Sequence, residues 1–171
     1  MPSQEPLGPH MLDFVSHSAV QTHRLGVRLG RLLRAGDVVL LSGEYGAGKT
    51  TFIQGLAEGL GVAGPVTSPS FTLVLEHRAG PEHGALPFYH IDLYRLRTPE
   101  EALALGLEEY FCGAGVCAVE WADRFPEIMP AEQLRIHLAF LSDTKRVVRV
   151  TPVGPRYEQL TEEFKHSAFG R

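Results

Sequence analysis

One stretch constrains this chain more than any other: Gly43-Glu44-Tyr45-Gly46-Ala47-Gly48-Lys49-Thr50, which has the spacing G-x-x-x-x-G-K-[ST]. A triphosphate needs several backbone N–H donors converging on one point, and bulky side chains would block that approach. Gly43, Gly46 and Gly48 permit the backbone angles such a loop requires. A helix starting behind the loop points its positive end at the anion. The flanks agree: Val38 to Ser42 reads as a buried strand, and Thr50 to Leu60 as a helix with Phe52, Leu56 and Leu60 on one face and Gly61 as its stop. Lys49 is then expected to neutralise the β- and γ-phosphates, and the Thr50 hydroxyl to complete a magnesium shell. Glu44, Tyr45, Gly46, Ala47, Gly48 and Thr51 complete the expected nucleotide contacts. Away from the nucleotide, the Lys49 side chain is expected to face solvent.

Magnesium also needs a carboxylate at the end of a neighbouring strand. Two acids qualify. Glu120 follows the apolar run Val116 to Val119, and Asp92 follows Phe88-Tyr89-His90-Ile91. Both are candidates for the catalytic and metal-facing roles, and the pattern does not divide the work between them. Trp121, the single tryptophan, follows Glu120 directly and is placed at the rim of the site. The loop Val66 to Phe71 supplies three hydroxyls, Thr67, Ser68 and Ser70, suited either to sensing a γ-phosphate or to a plain polar turn. No two histidines have metal spacing on a helix; His90, beside Asp92, is either a functional residue or, the commoner case, a packed or solvent-facing one. Cys112 and Cys117 receive no chemistry.

Composition narrows the partners. The net charge is −4, from 16 basic and 20 acidic residues, which disfavours a free-standing nucleic-acid binder. The chain contains no asparagine, which removes the Asn-Lys-x-Asp type of guanine-reading motif. Two cysteines are too few for a disulfide framework, and a reducing, cytoplasmic setting is expected. No apolar run approaches a membrane span, and the first nine residues lack the features of a secretory leader.

The remaining segments read as an α/β arrangement. Residues 1–12 are Pro-rich, without pattern, and expected to fray; residues 13–171 are expected to form one P-loop domain. Ser18 to Arg34 is an amphipathic helix with Leu25, Leu29, Leu32 and Leu33 on one face. Arg24, Arg28 and Arg31 line another, either as a solvated face or as a contact for phosphate or acidic groups. Phe71 to His77 and Leu86 to Leu93 read as strands, Pro99 to Leu107 as a helix capped by Thr98, and Val116 to Val119 as a buried strand. Gln133 to Leu141 and Arg146 to Val150 form an antiparallel pair, and Arg156 to Phe164 is a closing helix. A mixed central sheet flanked by helices, a P-loop NTPase fold, follows.

Five segments occur in order: the phosphate loop through Phe52, Thr67-Ser68-Pro69-Ser70-Phe71-Thr72-Leu73-Val74, His90-Ile91-Asp92-Leu93-Tyr94-Arg95-Leu96, Leu105-Gly106-Leu107-Glu108-Glu109-Tyr110, and Val119-Glu120-Trp121-Ala122-Asp123-Arg124. Together they resemble the bacterial TsaE family, over roughly residues 15 to 155. The resemblance implies an ATP- and Mg²⁺-dependent ATPase of tRNA threonylcarbamoyladenosine biosynthesis, working with the TsaD and TsaB proteins and meeting tRNA indirectly through that complex. It carries Lys49 and Thr50 onto the family's phosphate and magnesium residues, Asp92 and Glu120 onto its motif acids, and Thr67 to Ser70 onto its switch-like segment. Ser70 departs from the family's usual threonine but keeps the hydroxyl. Two rival readings stand beside it: a small-molecule kinase, and a nucleotide-gated binding module in which hydrolysis is vestigial.

Overall fold

The computed structural model describes residues 10–67, 69 and 73–170. Seven strands form one mixed sheet: β1 (Leu12–Ser16), β2 (Val38–Gly43), β3 (Val74–Arg78), β4 (Pro87–Asp92), β5 (Val116–Glu120), β6 (Gln133–Phe140) and β7 (Arg146–Val153), in the spatial order β1-β7-β6-β2-β5-β4-β3. The inner pairs β6-β2, β2-β5 and β5-β4 are parallel, and the outer pairs β1-β7, β7-β6 and β4-β3 are antiparallel. Five helices complete the fold: α1 (Ala19–Gly30), α2 (Lys49–Gly59), α3 (Pro99–Ala104), α4 (Leu107–Phe111) and α5 (Pro155–Phe169). No helix among the described residues is long and apolar enough to cross a membrane.

Strand parity assigns the two faces. On β2, Val39 and Leu41 join the larger core with α1, α2 and α5, while Val38 and Leu40 turn to the smaller core with α3 and α4. On β5, Val116 and Ala118 face the first core, and Cys117 and Val119 the second. Both faces of the parallel strands are covered, so their sequences run continuously apolar and do not alternate. In α1, Leu25 and Leu29 are buried as their spacing requires, with Leu33 just beyond the helix; Arg24, Arg28 and Arg31 are exposed.

One packing device escaped the sequence reading. Gly26 and Gly30 of α1 lie against Gly55 and Gly59 of α2 so closely that a Cβ on Gly26 would sit 2.3 Å from the Phe52 carbonyl oxygen. A Cβ on Gly59 would sit 2.2 Å from that of Val27. The two backbones touch directly, and this seam sets the position of the helix that carries Lys49 and Thr50.

Several boundaries move. Leu12, assigned by sequence to the terminal segment, opens β1 and pairs with Val150. The strand predicted from Phe71 begins at Val74, and Phe71 itself lies outside the described residues. The helix predicted over 99–107 is two short helices, because Gly106 adopts a left-handed conformation (φ 68°) that ends one and starts the other. Thr98 caps the first as expected, accepting the Glu101 N–H. The closing helix runs on to Phe169. Asp37 is buried and pairs with Arg156 at 2.8 Å, while the Tyr157 hydroxyl accepts the Val38 N–H, so α5 is pinned to the start of β2.

Candidate nucleotide site

The loop between β2 and α2 follows its glycines. Gly43, Gly46 and Gly48 all take positive φ (139°, 80° and 104°), where a side chain would be strained. The loop opens on a cleft of about 480 Å³ lined by Tyr45, Gly46, Gly48, Lys49, Thr50 and Thr51 on one side, and by Asp92, Glu120 and Trp121 on the other. Leu73, Tyr94 and Arg95 complete the wall. Of the expected loop contacts, Glu44 points its side chain to solvent and takes part through its carbonyl, and Ala47 is buried beneath the loop. Tyr45 stands exposed at the tip.

Lys49 departs from expectation: it is 5% exposed. Its ammonium turns back over the loop, donating to the carbonyls of Gly43 (2.6 Å) and Glu44 (2.9 Å), and stands 4.1 Å from the centre of the Trp121 ring. A long apolar stem with three donors at its tip allows both packing and bonding. Burial pushes this ammonium below its usual range, and the nearby carboxylates of Glu120, Asp123 and Asp92 push it back up.

The two acids end adjacent parallel strands, and Asp92 and Glu120 are register partners. Parity with Phe88 and Val116 turns both toward the α2 side of the sheet. Glu120 is 3% exposed, and its Oε1 accepts from the Thr50 hydroxyl at 3.1 Å. Its Oε2 lies 2.7 Å from His90 Nε2. Asp92 is half-buried and accepts the Tyr94 N–H at 2.9 Å. Burial pushes its carboxyl above the usual range, the Tyr94 hydrogen bond offsets part of this, and Glu120 adds to it. Trp121 takes a left-handed backbone (φ 60°) immediately after β5, which swings its ring over Lys49 and against Tyr94. A non-glycine residue held there is costly, and such strain gathers at functional sites.

Comparisons with known proteins place the chain in a family. A family model described as "Threonylcarbamoyl adenosine biosynthesis protein TsaE" matches residues 16–148. A tRNA threonylcarbamoyladenosine biosynthesis protein TsaE from Bacillus subtilis is 48% identical over 130 residues, covering 76% of this chain and 78% of that protein. One from Treponema pallidum is 43% identical over 136 residues, covering 80% and 97%. A crystal structure of YdiB from Bacillus subtilis superposes with a TM-score of 0.78 at 39% identity, covering 91% of this chain and 95% of that one. The chain belongs to the TsaE family.

Within this TsaE family member, three of the five segments that carried the resemblance converge on one cleft: the loop after β2, the end of β4 and the end of β5. The segment Leu105 to Tyr110 packs with the smaller core instead, and of Thr67 to Val74 only Leu73 lines the cleft among the described residues. Thr67 is exposed, while Ser68 and Ser70 lie outside the described residues. For His90, sequence reasoning weighed a packed position but missed the partner, Glu120 of the neighbouring strand. It also missed a second cavity, of about 250 Å³, behind the loop. That cavity is lined by Ser18 and Thr22 at the start of α1, by Thr51, by Asp143 and Thr144 of the β6–β7 turn, and by Arg146 at the start of β7. Residues 18 and 146 come together because β1 pairs with β7, with Ser16 opposite Arg146.

Proposed function

We propose that this chain binds Mg-ATP in the cleft and hydrolyses it slowly by itself, as the nucleotide-driven component of tRNA threonylcarbamoyladenosine biosynthesis. The observation that carries this reading is the 3.1 Å contact between Thr50 and Glu120, which joins the phosphate loop to the acid of a second strand. Among the described residues no group of three or more His, Cys, Asp or Glu side chains could hold an ion. That suits Mg²⁺, which takes one or two protein ligands and fills its shell with phosphate and water. Thr50 and either Asp92 or Glu120 are the residues to hold it, and the metal would supply charge neutralisation between the phosphates. Lys49 has only to leave the Gly43 and Glu44 carbonyls to meet a phosphate. The cavity behind the loop suits the base, with Thr51, Asp143 and Thr144 as polar groups able to read its edge.

In this reading the partners are TsaD and TsaB, tRNA is met through them, and the setting is the cytoplasm. P-loop sites commonly await a partner that completes the charge shell, hence the slow basal rate. The rival kinase reading has one observation in its favour. A groove of about 680 Å³, lined by Tyr94, Arg95, Arg97, Trp121 and Arg124, adjoins the γ-phosphate end and offers room for an anionic acceptor. One experiment separates the two. Mg-ATP turnover by the full chain should rise on adding TsaD and TsaB, with binding followed through the emission of Trp121 and adenine preferred over guanine. Turnover that ignores the pair, but rises with a small hydroxylated acceptor and phosphorylates it, would overturn the ATPase reading.

A further inference from the structure

His90 does not line the cleft but sits directly behind one of the acids that does. It is fully buried, at 0% exposure, two residues before the end of β4. Its Nε2 lies 2.7 Å from Glu120 Oε2, and the Glu120 side chain is 4% exposed. A carboxylate offers only acceptors, so Nε2 is the donor. Nδ1 finds no hydrogen-bond partner among the described residues, so the ring is tied from one side alone, by Glu120. A neutral core residue would fill the same space beside Phe88 and Ala118 without a polar atom to satisfy. Packing therefore does not account for a histidine at this position.

Its effect falls on the carboxylate. Glu120 is held at both oxygens, by Thr50 on Oε1 and His90 on Oε2. A glutamate has three rotatable side-chain bonds, and the Lys49 ammonium lines the same cleft, with Glu120 the acid that most favours its charge. Without a donor on Oε2, the carboxylate is free to turn toward that ammonium. The pairing would draw both groups out of position for a triphosphate.

We propose that His90 is a positioning residue for Glu120. It holds the carboxylate against Thr50 and away from Lys49, so that one oxygen is presented to the metal or water at the γ-phosphate. This rests on the hydrolytic reading of the cleft. Groups that orient a metal-site ligand in this way typically contribute 10- to 100-fold to activity.

The test compares His90→Gln, whose amide nitrogen reaches the position of Nε2 and can donate, with His90→Met, of similar length but without a donor. Single-turnover Mg-ATP hydrolysis and calorimetric nucleotide affinity are measured on the full chain, with thermal unfolding to establish that each variant is folded. The methionine variant should lose roughly 10- to 100-fold in rate with affinity changed less than about threefold, and glutamine should recover most of the loss. In a Glu120→Gln background, neither substitution should lower the residual rate further, because His90 acts only through that carboxylate. Should His90→Met not fold, His90→Asn takes its place, its donor matching the position of Nδ1 and falling short of Glu120. Equal losses for donor and non-donor variants, or an undiminished further loss in the Glu120→Gln background, would overturn the proposal and leave the ATPase reading standing. Wild-type hydrolysis by Glu120→Gln itself would instead overturn the role given to Glu120, and this proposal with it.

Discussion

The parallel and antiparallel halves of the sheet treat charge in opposite ways. In the antiparallel half, β6 and β7 alternate: Leu134, Ile136, Leu138, Val148 and Val150 are buried, while Arg135 and His137 stand in water. The Arg149–Asp13 pair on that half is hydrogen-bonded twice, at 2.9 and 2.8 Å, and is only partly buried. In the parallel half every residue of β5 is buried, Glu120 included, and His90 beside it is sealed as well. Charge on the wet face costs little because water solvates it. Charge at the end of a strand covered on both sides is expensive unless each oxygen has a donor. The parallel half places its polar groups where they are hardest to bury, at the strand ends that converge on the phosphate loop.

If the parallel half is the chemical one, Lys49→Ala should lower Mg-ATP hydrolysis by roughly 100-fold or more, through loss of the charge contact to the phosphates. It should also lower stability modestly, since the ammonium rests on the Trp121 ring and donates to two loop carbonyls. Hydrolysis that survives in the folded variant would break the comparison.

The glycine seam is the next largest effect, and it acts on the scaffold. Gly26→Ala forces a Cβ onto the Phe52 carbonyl and should cost about 3 kcal/mol or more in urea unfolding. A near-neutral result would mean that α1 and α2 are free to separate, and that the seam does not set the loop.

Asp92→Asn sharpens the cost of charge in the parallel half. Burial holds the Asp92 carboxyl above its usual range, so the folded chain disfavours its ionised form. The variant should therefore melt higher than wild type at neutral pH. That advantage should fade as pH falls through the raised folded value toward the ordinary carboxylate range, where Asp92 is protonated in both states. An advantage that grows on acidification would reverse the assignment.

Arg149→Ala, on the wet face, should cost the least, about 0.5 kcal/mol, and less at high salt. A loss several times larger would erase the contrast between the halves.

What could be read in advance follows the range of the interactions involved. Phosphate-loop conformation, helix starts and strand identity are local, and Gly48, Thr98 and the apolar run Val116 to Val119 announced them. Asp92 and Glu120 were legible as strand-end acids because each follows its own apolar run. Their adjacency was not, since it depends on β4 lying beside β5 in register. Lys49 was misjudged for the same reason: its solvent exposure depends on Trp121, which the left-handed turn after β5 brings over it. The Gly26-to-Gly59 seam was written as two glycine pairs four residues apart, but only the crossing of two helices gives them meaning.

By itself, then, the order of residues determined a glycine loop between a buried strand and a helix, a mixed α/β fold and two acids at strand ends. All three rest on backbone angles and periodicities that act within a few residues. Tertiary structure alone decided that Thr50 meets Glu120, that His90 is sealed against the same carboxylate, and that Ser18 and Arg146 share a cavity behind the loop. Each of those contacts joins residues far apart in the chain. They form because burying the two apolar faces of one sheet leaves a single strand order in which those side chains must meet.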